Sequence, residues 1–260
     1  WAKNGTVQAE TATITASAWT LTTLASPPTS NDIITVWVDG VSDANETTAI
    51  TKYTSGNISG MVLNTNIVSV GSNQDTSLSI TNLENYDCTQ NEDIMYQAAS
   101  SHLKIEGDAC AGSTTNTYTS EKLEILSGDT MTVATAETVT TYDLTITGTL
   151  TSSGNSTYNI SHDWAKTGTF TSDTSTVNLT GTDSSTQTLS GSTSFNNLSV
   201  STSSNSTGRT ITHTAGTTQT VTGTWTITGF TGKVITLGSS AASAWTINPT
   251  AASVDYAAIS

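Results

Sequence analysis

The sequence predicts an all-β protein in which residues 121–260 wind as a parallel β-helix, a solenoid of short stacked strands. Three observations predict it. The 260 residues include 58 Thr and 36 Ser, about 36% of the chain, where ordinary domains hold roughly 12–14% of the two together. Those Thr alternate with Val, Ile, Leu and Trp over long stretches, the period-two pattern of strands with one buried face. Short apolar segments then recur after residue 120, punctuated by Gly and Asn, as a repeat architecture with turns of variable length would read.

Residues 1–28 are the first unit, an extended N-terminal segment. Within 6–24, Ala12, Ile14, Ala16 and Ala18 share one parity, Trp19 and Leu21 take the other, and Pro27-Pro28 follows. Two readings stay open. The segment caps its own β-helix, or it donates a strand to the sheet edge of a neighbouring subunit.

Residues 29–120 are the second unit. Ile33–Val38, Ile58–Leu63, Ile67–Val70, Leu78–Ile80 and Leu103–Ile105 read as strands. They are either early turns of the same solenoid, with 81–120 as an excursion, or a separate small β domain inserted at about 30–120. Cys88 and Cys110 fall here. In an oxidising compartment they would form a disulfide closing a loop worth ~3 kcal/mol; two free buried thiols are the alternative, and two Cys without a His pair do not make a zinc site. The unit is also acidic. Asp39, Asp43 and Glu46, then Asp87, Glu92 and Asp93, then Glu106 and Asp108 are candidate oxygen ligands for Ca2+. Neither an EF-hand loop nor an RTX repeat is spelled, and an ordinary solubilising acidic surface is the reading these acids favour over a Ca2+ site.

Residues 121–260 are the third unit. Leu144–Gly148, Tyr158–Ile160, Thr176–Gly181, Leu198–Val200, Thr210–Thr212, Thr220–Gly229, Val234–Leu237 and Trp245–Ile247 are the recurring strands. Gly-Thr before a large apolar residue appears at Gly148-Thr149-Leu150, Gly168-Thr169-Phe170 and Gly223-Thr224-Trp225. In such strands the apolar residues point inward and Thr outward, where β-branching suits a pleated face. Gly permits a corner with positive φ or a close backbone approach.

The stretches "EKLEILSGDTMTV", "YDLTITGTLTSSGNSTYNISHDWAKTGTFTSDTSTVNLTG", "STQTLSGSTSFNNLSV" and "GKVITLGSSAASAWTINPTAASVDYAAIS" carry a family resemblance. Residues 121–260 resemble the Thr/Ser-rich β-helical repeat regions of bacterial and archaeal adhesin-like cell-surface proteins. The resemblance implies a right-handed parallel β-helix in a secreted or envelope protein. It rests on many weak matches and transfers no catalytic residue.

Seven Lys and Arg face 21 Asp and Glu, a net charge of −14, so the basic footprint of a nucleic-acid or anionic-lipid binder is missing. A lyase needs a base and cations at the developing enolate, and the chain holds a single Arg, Arg209. A hydrolase needs paired carboxylates. Asp163, Asp173 and Asp183 recur every ten residues and read as solvated loop acids, while His102, His162 and His213 read as surface or turn residues. Thr145-Ile146-Thr147, Thr220-Val221-Thr222 and Thr224-Trp225-Thr226 have the spelling of ice-binding arrays, which need strict strand-to-strand register.

The expected function is therefore not enzymatic. It is a secreted structural protein of the cell surface that assembles with copies of itself into a filament, sheath or stalk, either end to end or by N-terminal strand donation. The alternative is a monomeric adhesin that binds surface glycans; a lyase or hydrolase is third. The start at Trp1 fits a mature chain whose export signal is gone. Eight sequons, at Asn4, Asn45, Asn57, Asn155, Asn159, Asn178, Asn197 and Asn205, are candidate N-glycosylation sites where the source modifies Asn.

Overall fold

The computed structural model describes residues 1–38, 45, 47–71, 77–83, 94–97 (backbone only), 100–105, 122–181, 186–202 and 208–260. The chain is all-β, and most of its strands lie parallel in three sheets. From Lys122 to Leu179 the chain passes the three sheets in a fixed order. Lys122–Ile125 lies in a twelve-stranded sheet, Thr130–Val133 in a four-stranded one, and Thr138–Thr141 in a nine-stranded one. Asp143–Ile146, Thr149–Ser152 and Thr157–Ile160 repeat that circuit, as do Trp164–Lys166, Thr169–Thr171 and Thr176–Leu179.

Register follows from burial. Lys122–Ile125, Thr130–Val133, Thr138–Thr141, Thr157–Ile160 and Thr176–Leu179 each show strict alternation of buried and half-buried positions, and a slip of one residue would turn their apolar side chains outward. The buried residues accordingly stack in columns. Leu123, Leu144, Trp164 and Leu189 form one, Met131, Leu150 and Phe170 a second, and Val139, Tyr158, Val177, Leu198 and Trp225 a third. All belong to one continuous core. Each such large side chain contributes about 1.5–3 kcal/mol by leaving water.

Circuit length varies along the chain. Val139 pairs with Tyr158 and Tyr158 with Val177, 19 residues apart each time, whereas Leu198 pairs with Trp225, 27 residues on. Gly148 and Gly168 leave no room for a side chain: a Cβ on Gly148 would sit 2.0 Å from Leu126 O, and one on Gly168 2.0 Å from Gly148 O. The repeated Gly-Thr spelling thus marks a corner where successive circuits touch through bare backbone.

Aromatic side chains cluster within the core. Trp164 lies 5.0 Å from Phe170 and 5.2 Å from Phe195 between ring centroids, and Tyr158 meets Phe170 edge-on at 5.7 Å, the geometry that aromatic quadrupoles favour. The Tyr158 hydroxyl shares a 2.6 Å hydrogen bond with Ser152 Oγ. Burial pushes the Tyr158 phenol up to about 12.

The strands before residue 121 join these same sheets. Thr47–Lys52 pairs in parallel with Ile67–Val70, which pairs with Lys122–Ile125. Leu78–Ser79 pairs with Thr130–Val133, and His102–Ile105 with Thr138–Thr141. At the N-terminal end the pairing turns antiparallel: Ala2–Lys3 lies between Thr6–Val7 and Ile33–Trp37, and Ile33–Trp37 pairs with Thr47–Lys52.

Two expected strands are replaced there. The segment 6–24 is extended only at Thr6–Val7. Ala16 and Ser17 take positive φ (50° and 63°), and Thr15 and Ala18 exchange backbone hydrogen bonds of 2.9 and 3.0 Å, closing a tight turn. Ile58–Leu63 is irregular. Thr47–Lys52 already has a strand on each side, so no edge is left for it there. Trp19, Leu21, Ile58 and Leu63 instead pack on a second small core of Trp1, Ile34 and Val36.

Candidate functional site

Parallel stacking brings together residues that lie about one circuit apart in sequence. Tyr142-Asp143-Leu144 and His162-Asp163-Trp164 occupy equivalent positions on adjacent strands, since Leu144 pairs with Trp164. The imidazole of His162 stacks on Tyr142, with centroids 4.6 Å apart and planes 8° from parallel. Its Nδ1 lies 2.7 Å from Asp143 Oδ1 and 3.6 Å from Asp163 Oδ1. Lys122, at the paired position on the preceding strand, reaches Asp143 Oδ2 at 3.0 Å.

Backbone amides hold both carboxylates in place. Asp163 N donates to Asp143 Oδ1 at 2.8 Å, and Thr188 N donates to Asp163 Oδ1 at 2.7 Å. Asp143 is 7% exposed, a burial that a carboxylate tolerates only with such partners. Burial pushes the Tyr142 phenol up, with the Asp143 and Asp163 charges adding to it. Both oxygens of Asp143 are engaged, so it is no free acid or base. Among the described residues, Asp143, His162 and Asp163 are the one group whose ligand atoms cluster tightly enough for a metal ion, all within 4.8 Å of one another.

A second polar group lies inside the core. Arg209 Nη1 donates to Leu179 O at 2.8 Å and to Ser201 O at 2.9 Å, and its Nη2 donates to Gln187 Oε1. Gln187 Nε2 donates onward to Ile160 O at 3.1 Å. Gln219 Nε2 donates to Gly191 O at 3.0 Å, while its Oε1 accepts from Thr193 N at 3.2 Å. His213, expected at the surface, is 2% exposed and lies flat on Trp245. Burial lowers its imidazole to about 4. These polar side chains serve carbonyls and amides that the changing circuit length leaves inside.

A third feature is the C-terminal end. Thr246–Asp255 pairs with Thr218–Thr228, and Ala257–Ile259 with Ile235–Ser239. Among the described residues neither has a strand on its other edge. Val254 continues the buried column Val200–Ile227, and Ile259 continues Ile211–Leu237. Yet Val254 is 51% and Ile259 79% exposed.

No protein-family model, curated protein or solved structure matches this chain.

The residues singled out from sequence divide clearly. Cys88, Cys110, Asp39, Asp43, Glu46, Asp87, Glu92, Asp93, Glu106, Asp108, Asp183 and Asn205 lie outside the described residues. Asn4, Asn45, Asn57 and Asn155 are exposed, though Asn4 uses its side chain to accept from Ile33 N at 2.8 Å. Asn159 and Asn178 are half-buried in an outward ladder, with Asn178 Nδ2 donating to Asn159 Oδ1 at 3.0 Å. Asn197 Oδ1 accepts from Thr224 N at 3.0 Å.

Ala12 is half-buried, Ile14, Ala16 and Ala18 are exposed around the turn, and Trp19 and Leu21 are half-buried on their own chain. Asp163 is tied to Asp143 and His162, a correction to its reading as a solvated loop acid. Asp173 is exposed and accepts from Gly154 N at 2.7 Å. The Asp143–Asp163 pairing escaped the sequence reading, and the signal that would have found it is the aromatic-Asp-apolar spelling repeated 20 residues apart. No helix among the described residues is long and apolar enough to cross a membrane.

Proposed function

We propose that the three sheets wind as one right-handed parallel β-helix, and that the protein is a structural component of a cell surface that assembles end to end. The hand follows from the near-universal right-handedness of parallel crossovers. One observation carries the assembly reading: among the described residues Val254 and Ile259 continue otherwise buried columns yet are exposed, on a face that a further circuit, from this chain or from a second copy, would cover. An edge with an apolar row at period two is a template for a further strand. A second copy of this chain is the partner proposed, which makes the contact head-to-tail and the product a filament, sheath or stalk. The N-terminal segment, turned back on its own chain, supports stacking of ends over strand donation.

Electron microscopy and concentration-dependent light scattering of the purified chain test this. Filaments or short linear chains are expected, and Val254→Lys with Ile259→Lys should abolish them while the far-ultraviolet β signal persists. A strictly monomeric species at high concentration, above all one that binds glycans as a monomer, sinks the reading.

A further inference from the structure

We propose that Asp143, His162 and Asp163 bind a divalent transition-metal ion, with zinc the best fit. Asp143 and Asp163 stand at adjacent positions on neighbouring parallel strands, where like charges side by side are destabilising. Lys122 offsets one of them from the side, on Asp143 Oδ2. Asp143 Oδ1, His162 Nδ1 and Asp163 Oδ1 converge on the other side, with His162 Nδ1 at 2.7 and 3.6 Å from the two carboxylate oxygens. Ligand atoms around a tetrahedral zinc ion lie about 3.3 Å apart, given bonds of about 2.0–2.1 Å, so these separations bracket the required value.

The surroundings are those of a prepared ligand set. Amide N–H groups of Asp163 and Thr188 orient the two carboxylates, and the Tyr142 ring fixes the imidazole plane; such outer partners set ligand direction in metal sites. The imidazole selects for zinc, nickel or copper over calcium and magnesium, which prefer all-oxygen shells. His162 and Asp163 keep side-chain exposures of 29% and 36%, leaving a path for the ion and room for water as fourth ligand. Binding replaces the single proton shared between His162 Nδ1 and Asp143 Oδ1, which passes to solvent. The site is independent of end-to-end assembly.

The test is calorimetric titration of chelator-treated full chain with ZnCl2 at neutral pH, with Co2+ absorption as a report of ligand geometry. One ion per chain is expected. His162→Gln and Asp163→Asn should each weaken it at least about 10-fold, and Asp173→Asn should leave it unchanged. Lys122→Met should tighten binding by removing the competing ammonium, a result that general damage to the fold would not give. Absence of stoichiometric binding overturns the proposal. So does binding that His162→Gln and Asp163→Asn leave intact, because the ion then sits elsewhere on the acidic surface.

Discussion

Trp245 lies flat on His213, with ring centroids 3.7 Å apart and planes 6° from parallel. The indole covers the open side of an imidazole that is otherwise inside the core, and burial holds that imidazole neutral, at about 4. The stacking ties the acid stability of the C-terminal circuits to one side chain.

The depressed value sets the direction. In the unfolded chain His213 takes a proton near its ordinary ~6.5, whereas the folded chain resists protonation until about 4. The folded state therefore has its full stability above pH ~6.5 and loses roughly 3 kcal/mol as the pH falls through that window. Urea midpoints of the native chain and His213→Leu, compared at pH 7 and pH 4.5, should converge or cross at the lower pH. A constant difference at both would rule out the linkage.

Alkaline stability has a similar handle in Tyr158, with the opposite sense. Its phenol is raised to about 12, against ~10 when unfolded. Stability should hold below pH ~10 and fall by up to roughly 3 kcal/mol toward pH 12. Tyr158→Phe loses the Ser152 hydrogen bond, worth about 1 kcal/mol at neutral pH, and should flatten the alkaline limb of a denaturation series.

The corner glycines should be intolerant of any side chain. Gly148→Ala or Gly168→Ala places a methyl 2.0 Å from a carbonyl oxygen, and about 3 kcal/mol of destabilisation is expected, in the upper part of the range for single substitutions. Gly238→Ala, whose methyl meets Ser260 Oγ at 3.3 Å, should cost under about 1 kcal/mol. Thermal midpoints of the three variants make the comparison.

Arg209 should be irreplaceable by Lys. Its planar fork serves Leu179 O, Ser201 O and Gln187 Oε1 together, and an ammonium cannot reach all three in those directions. Arg209→Lys and Arg209→Met should each cost about 3 kcal/mol, because buried acceptors lose their donor. Restoration of native stability by Lys would show that charge alone matters there.

Much of the fold is legible in the alternation itself. Leu144-x-Ile146, Tyr158-x-Ile160 and Val177-x-Leu179 are buried pairs, and Thr145, Asn159 and Asn178 between them face outward, because a strand sends successive side chains to opposite faces. The same parity places Gln187 with Leu189, Arg209 with Ile211 and His213, and Gln219 with Val221. Residue type argued for the surface at these positions, and parity prevailed. Strand geometry fixes the side a residue takes, and the interior supplied carbonyls to receive the donors. Ile58–Leu63 fails in the opposite direction: its composition suits a strand, but the neighbouring edge was already paired.

By itself, then, the sequence determined that this chain is all-β, which positions face in, and where Gly must sit for one circuit to touch the next. Those properties follow from period-two sterics and from the room a missing Cβ leaves, both local. Only the tertiary structure decided which strands are neighbours, and so that Asp143 meets Asp163, that His162 lies on Tyr142, and that Val254 and Ile259 stand in line with Ile227 and Leu237. Lateral pairing depends on how many residues separate one strand from its neighbour, and that number varies along the chain without a local signal to announce it.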